Sequence, residues 1–221
     1  MTACAIASIA ALGFSSVSLL SAADVIDVPR TLHGIEERYN RTQTLQLSFT
    51  ESYQQGARTR VEKGDLFLRK PGRMRWQYTA PPGKLFVSDG KFIYSYTPQD
   101  NRAEKMKLQE TDDMRAPLAF LLGRLDFNRD FREYTTHQEG AKTWVKCIPK
   151  SDKLPYTEVS FLASAGGRIE HVRVVHQDRS IIDFDFSGEV LNPPIADQVF
   201  HFQIPPGAEY IDSTTGTKGD R

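Results

Sequence analysis

The chain has 221 residues, 39% hydrophobic and 10% aromatic, and its 28 basic side chains are matched by 28 acidic ones. That length suits one sizeable domain. The charge balance leaves no basic footprint for phosphates or for an anionic membrane surface, so nucleic acid is excluded as an expected partner.

Residues 1–23 contain no charged side chain and end in Ser21-Ala22-Ala23. This segment reads as a secretory signal peptide cut after Ala23, with an uncleaved anchor as the alternative. Cys4 would leave with it, and Cys147 then remains as a lone cysteine expected in buried packing rather than as a nucleophile. Pro29 opens a helical pattern with Asp27 placed to cap it. Leu32, Ile35 and Tyr39 recur at i, i+3 and i+7, which predicts an amphipathic helix ending near Asn40.

From Gln43 the period changes to two, because Leu45, Leu47 and Phe49 alternate with Thr44, Gln46 and Ser48. The same alternation returns in Leu66 and Leu68, in Met74, Trp76 and Tyr78, and in Phe92, Tyr94 and Tyr96. Each run predicts a strand with one apolar face. Lys70-Pro71-Gly72-Arg73, Pro81-Pro82-Gly83 and Asp89-Gly90 separate the runs at hairpin spacing, and the Asp-Gly pair suits a two-residue type I′ turn. Consecutive strands are therefore antiparallel neighbours in a meander.

Past Leu108, Thr111-Asp112-Asp113 precede Met114 and the run Pro117 to Leu122. This short helix is apolar almost all round, so it must lie against something apolar, and the concave face of the sheet is the available place. Alternation resumes at Phe131, with strands expected over 143–149, 157–163, 168–176, 180–186 and 199–204. The fold class is mainly β (α+β), with about 11 strands and two or three helices in one domain over 24–212, followed by a polar tail over 213–221.

The five histidines, at 33, 137, 171, 176 and 201, form no metal-ligand spacing, and no nucleophile elbow, phosphate loop or dinucleotide fingerprint is present. No metal, cofactor or enzyme activity is expected. Asp183 and Asp185 share one strand face; they read as a solvated face, or as the acid and base of a hydrolase if a cleft holds both.

Two segments carry a resemblance: Gly64-Asp65-Leu66-Phe67-Leu68-Arg69-Lys70-Pro71-Gly72-Arg73-Met74-Arg75-Trp76-Gln77-Tyr78, and Leu85-Phe86-Val87-Ser88-Asp89-Gly90-Lys91 with the aromatic strand to Pro98. Together with Phe200-x-Phe202 and Pro205-Pro206-Gly207, they resemble the outer-membrane lipoprotein carrier protein (LolA) family. The resemblance implies an incomplete antiparallel β-barrel with helices lidding its concave apolar face, in a monomer of the periplasm. It also implies acylated lipoproteins as cargo, an inner-membrane ATP-driven lipoprotein-release complex as donor and an outer-membrane acceptor. A carrier or sensor of other lipids on the same fold is the alternative.

On that resemblance Leu47, Phe49, Leu66, Leu68, Met74, Trp76, Phe86, Phe92 and Tyr94 line an acyl-chain cavity. Leu118, Phe120, Leu121 and Leu122 form its lid. The family often carries arginine before the turn proline, as a cation that latches the lid. Here Lys70 takes that place and Arg69 precedes it, so the latch falls to one of these two, and lysine lacks the planar fork of arginine.

Overall fold

A computed structural model of the chain describes residues 28–108 and 125–215. The expected signal segment, the Asp27 cap, the apolar helix with Leu118, Phe120, Leu121 and Leu122, and the end of the polar tail lie outside the described residues.

The 3.6-residue pattern becomes helix α1 (Val28–Arg41), with Leu32, Ile35 and Tyr39 buried. The period-two runs become β1 (Thr44–Gln55), β2 (Arg58–Arg69), β3 (Arg73–Ala80), β4 (Pro82–Asp89), β5 (Phe92–Thr97) and β6 (Arg102–Lys107). A short helix α2 (Phe127–Asp130) leads into β7 (Phe131–Glu139), β8 (Lys142–Pro149), β9 (Tyr156–Ser164), β10 (Ile169–His176) and β11 (Ile181–Leu191). A last short strand, β12 (Glu209–Asp212), follows a 3-10 turn at Asp197–Phe200.

The twelve strands of the described residues join one sheet in the order β12-β6-β5-β4-β3-β2-β1-β11-β10-β9-β8-β7. One meander runs outward from β1 to β6, and a second runs from β7 back to β11, which zips onto β1. The sheet does not close: β7 and β12 remain its two edges. Every join is antiparallel except that of β12 with β6, which is parallel.

Two local expectations are corrected. The Asp89-Gly90 signal does mark a hairpin, but its two-residue loop is Gly90-Lys91, and only Gly90 takes a positive φ, of 99°. Asp89 ends β4 and its carboxylate accepts hydrogen bonds from the backbone N–H groups of Lys91 and Phe92, both at 2.8 Å. Residues 199–204 form no strand. Pro193-Pro194 before them and Pro205-Pro206 after them bracket the segment, and Val199 and Phe200 belong to the 3-10 turn. The segment instead crosses the outer face of the sheet, where Phe202 stacks on Tyr94 at 5.3 Å and Phe200 is buried.

The core lies on the other, inner face. Register places Leu47 opposite Leu66, Leu66 opposite Trp76, and Trp76 opposite Phe86. Across β1 the inner face continues through Phe184, Val172, Phe161 and Val145, all buried. Each such side chain removed from water contributes about 1.5–3 kcal/mol.

Helix α1 is fixed over the β9–β10 end of this face. Gly167 (φ 71°) lets the turn between those strands approach so closely that a Cβ there would lie 2.6 Å from the Gly34 carbonyl oxygen. The Tyr39 hydroxyl accepts from the Ile169 N–H at 2.9 Å and donates to Glu189 at 2.7 Å, and Arg38 pairs with the same carboxylate. Burial, then the Glu189 charge, push the Tyr39 phenol far above its ordinary pKa. Asn40 exchanges two hydrogen bonds with the Leu125 backbone, at 2.8 and 2.7 Å.

Candidate functional site

The half of the inner face built by β1–β5 is a wall of apolar side chains. Leu47, Phe49, Leu66, Leu68, Met74, Trp76 and Phe86 are all buried on it, and the cross-strand register brings them together. The Phe49 ring meets Trp76 edge-on at 4.7 Å and Tyr78 at 5.1 Å, and Trp76 reaches Phe184 of β11 at 5.5 Å. Such aromatic pairs add about 0.5–1.5 kcal/mol each beyond burial. The Trp76 Nε1–H points at Met74 Sδ, 3.4 Å away.

Phe92 and Tyr94 do not belong to that wall. Ser88 pairs with Ile93, and Val87 with Tyr94, so the buried Ile93 faces inward with Phe86 and Ser88, while Phe92 and Tyr94 face outward. Lys105 Nζ sits 4.1 Å from the Phe92 ring centroid. Burial and the nearby Asp89 carboxylate push the Tyr94 phenol up to about 12. The physical reason is that β5 is apolar on both faces, so its aromatic residues mask the parity that Ile93 keeps. Ile93, Tyr78 and Phe184 are wall residues absent from the expected cavity lining, although Tyr78 shares the parity of Met74 and Trp76.

Lys70 and Arg69 leave the sheet in opposite directions. Lys70 Nζ donates to the Tyr39 carbonyl at 2.7 Å, in the last turn of α1, where unsatisfied carbonyls favour a cation. Burial lowers the Lys70 pKa. Arg69 pairs with Asp197 and lies over the Phe200 ring, 5.4 Å from its centroid. Their described contacts are thus with α1 and with the C-terminal segment.

A groove of about 630 Å³ on the outer face runs between Phe67, Arg75, Gln77 and Leu85 of the sheet and Gln198, Val199, His201 and Gln203 of that segment. It is separate from the inner wall, and polar and apolar side chains share its lining.

Cys147 is buried and its thiol is pushed well up by that burial, then by the Glu158 charge, so it stays a packing residue. Asp183 and Asp185 sit on the outer face. His171 is held between them, with Nδ1 2.7 Å from Asp185 Oδ1 and Nε2 2.9 Å from Asp183 Oδ1. Arg173 Nε also donates to Asp183, at 2.7 Å. Burial works against the imidazolium, but the hydrogen bonds to Asp183 and then Asp185 outweigh it, and the His171 pKa is raised. A folded-state pKa above the unfolded value of about 6.5 means a stabilisation fully present below that pH and lost as pH rises through the folded-state value. The stability gap between the native chain and His171→Gln is therefore expected to be widest near about pH 5.5 and to shrink toward alkaline pH. Urea unfolding across that range measures it; a gap that does not change with pH would show that the cluster is not ionic.

With the geometry in view, residues 40–203 match the family described as "Outer membrane lipoprotein carrier protein LolA". An outer-membrane lipoprotein carrier protein of Methylobacillus flagellatus is 26% identical over 157 residues, covering 71% of this chain and 76% of that protein. One from Dechloromonas aromatica is 24% identical over 200 residues, covering 90% and 92%. Among solved structures, a LolA superfamily protein from Nitrosomonas europaea is similar over 80% of this chain and 99% of its own, with 9% identity and a TM-score of 0.45. The match spans both meanders and every wall residue named above, and the chain belongs to the LolA family of outer membrane lipoprotein carrier proteins.

Proposed function

We propose that this protein is a periplasmic chaperone that holds the acyl chains of lipoproteins against the inner wall of β1–β5 and carries them from the inner membrane to the outer membrane. The observation that carries this reading is the continuous apolar wall from Leu47 to Phe86, in a chain that matches the family over residues 40–203. Leu118, Phe120, Leu121 and Leu122 are proposed as its cover, on the strength of their unbroken apolar sequence. The charge-free segment over 1–23 is proposed to direct export. An ATP-driven release complex at the inner membrane and an outer-membrane acceptor are the proposed partners.

The energetics support a container. Burying an acyl chain is worth about 0.8 kcal/mol per methylene, so a chain of roughly sixteen carbons gains on the order of 12 kcal/mol, and no such chain crosses water unshielded. A bilayer is itself apolar, so transfer from membrane to protein is close to neutral and loading requires work supplied by the donor. Cargo must displace whatever covers the wall, and a carrier of this kind binds moderately.

Purification from the periplasm after co-expression with a lipoprotein, followed by mass spectrometry, tests the reading. Acylated polypeptide is the expected ligand; free phospholipid or glycolipid alone would replace this reading with a carrier of other lipids. Met74→Glu sets a carboxylate in the wall and is expected to reduce lipopeptide retention about tenfold or more while far-UV circular dichroism keeps its β signal. Unchanged retention would remove Met74 from the lining.

A further inference from the structure

The inner wall changes character along its length. Beyond Phe49, the next inward residue of β1 is Glu51, and its direct partner on β2 is Glu62. Both are buried, at 2% and 4% exposure. Two carboxylates opposite one another on a buried face cost stability unless paired. Glu62 is paired with Lys84, and Arg60 Nε lies 3.3 Å from it. Glu51 accepts a hydrogen bond from the buried Tyr78 hydroxyl at 3.0 Å, and among the described residues it has no ion-pair partner. Lys84 Nζ stands 4.4 Å from the Tyr78 ring centroid, which ties the two carboxylates into one cluster.

The opposite end of the wall is apolar: Leu45, Leu68 and Met74 lie there, and Lys70 binds the end of α1 beside them. From Leu45 to Glu51 the wall runs about 20 Å at strand rise. One leaflet of a bilayer core spans about 15 Å, so an acyl chain fits alongside the apolar part with its head at the cluster.

We infer that Glu51, Tyr78 and Lys84 form a site for the polar junction of an acylated cysteine, the amide and ester groups at which its acyl chains begin. This rests on the carrier reading above. The Glu51 carboxylate accepts from the amide N–H, while the Tyr78 hydroxyl and the Lys84 ammonium donate to ester carbonyls, exchanging their contacts with one another for contacts with cargo. The site orients cargo with tails toward α1, and it discriminates the neutral ester and amide junction from a bare hydrocarbon.

The test titrates the native chain with a diacylglyceryl-cysteine peptide, with its ether-linked analogue lacking the carbonyls, and with the apolar probe 1-N-phenylnaphthylamine. The ester peptide is expected to bind about tenfold more tightly than the ether analogue, the size of a charge-assisted hydrogen bond lost. Glu51→Gln and Lys84→Gln are expected to weaken the ester peptide and narrow that gap while leaving probe binding within about twofold. Equal binding of ester and ether peptides to the native chain overturns the inference while leaving the carrier reading standing, and this comparison needs no variant to fold. Equal weakening of peptide and probe in the variants overturns it as well. Failure of the native chain to bind either peptide or probe would instead overturn the carrier reading, and this site with it.

Discussion

Gly64→Ala is expected to destabilise the protein by about 3 kcal/mol or more, a fall in Tm of about 6–12 °C for a domain of this size. A Cβ at this position would lie 2.2 Å from the Gln77 carbonyl oxygen, 2.9 Å from its carbon and 2.9 Å from Phe49 Cε1. The first two atoms are backbone of β3 and move only if the sheet parts. The third belongs to a ring locked edge-on by Trp76 and Tyr78. The register between β2 and β3 shifts at Lys63 and Gly64, which fits a strand glycine that marks a close approach. Thermal and urea unfolding measure the loss. A change under about 1 kcal/mol would mean that β2 and β3 separate easily at this irregularity.

Trp76→Ala is expected to cost about 3–5 kcal/mol, because the indole is fully buried and its removal leaves a cavity. The ring spans the seam of the fold, touching Phe49 of β1 and, beyond it, Phe184 of β11. It therefore holds together the two meanders that meet at β1. Phe92→Ala is the comparison: Phe92 is half-buried on the outer face, and its loss is expected to cost about 1 kcal/mol. Similar losses at the two positions would contradict the facing assigned to β5.

Much of the wall is legible in the order of the amino acids alone. Leu47, Phe49, Leu66, Leu68, Met74 and Trp76 sit in strands whose alternation is strict, and a half-buried strand has only one way to arrange that pattern. Phe92 and Tyr94 mislead because Phe92, Ile93 and Tyr94 are all apolar, so the period alone does not say which of them face the wall; the pairing of Ile93 with Ser88 and of Tyr94 with Val87 does. The outward aromatic residues are tolerated because Phe202, more than a hundred residues away, covers Tyr94. Glu51 and Glu62 escape notice for another reason: a search for apolar period passes over charged residues that keep the same parity.

Local chemistry decided the helix at Leu32, Ile35 and Tyr39, the strands of the first meander, the hairpin punctuation and the mainly β class, since each depends on side chains a few residues apart. Only the tertiary structure decided that β11 closes onto β1, that the sheet stays open between β7 and β12, that Lys70 holds the end of α1, and that two buried carboxylates meet across a hairpin. Those outcomes depend on which distant surfaces exclude water together, and a pattern with a period of two or 3.6 residues carries no information about its partner.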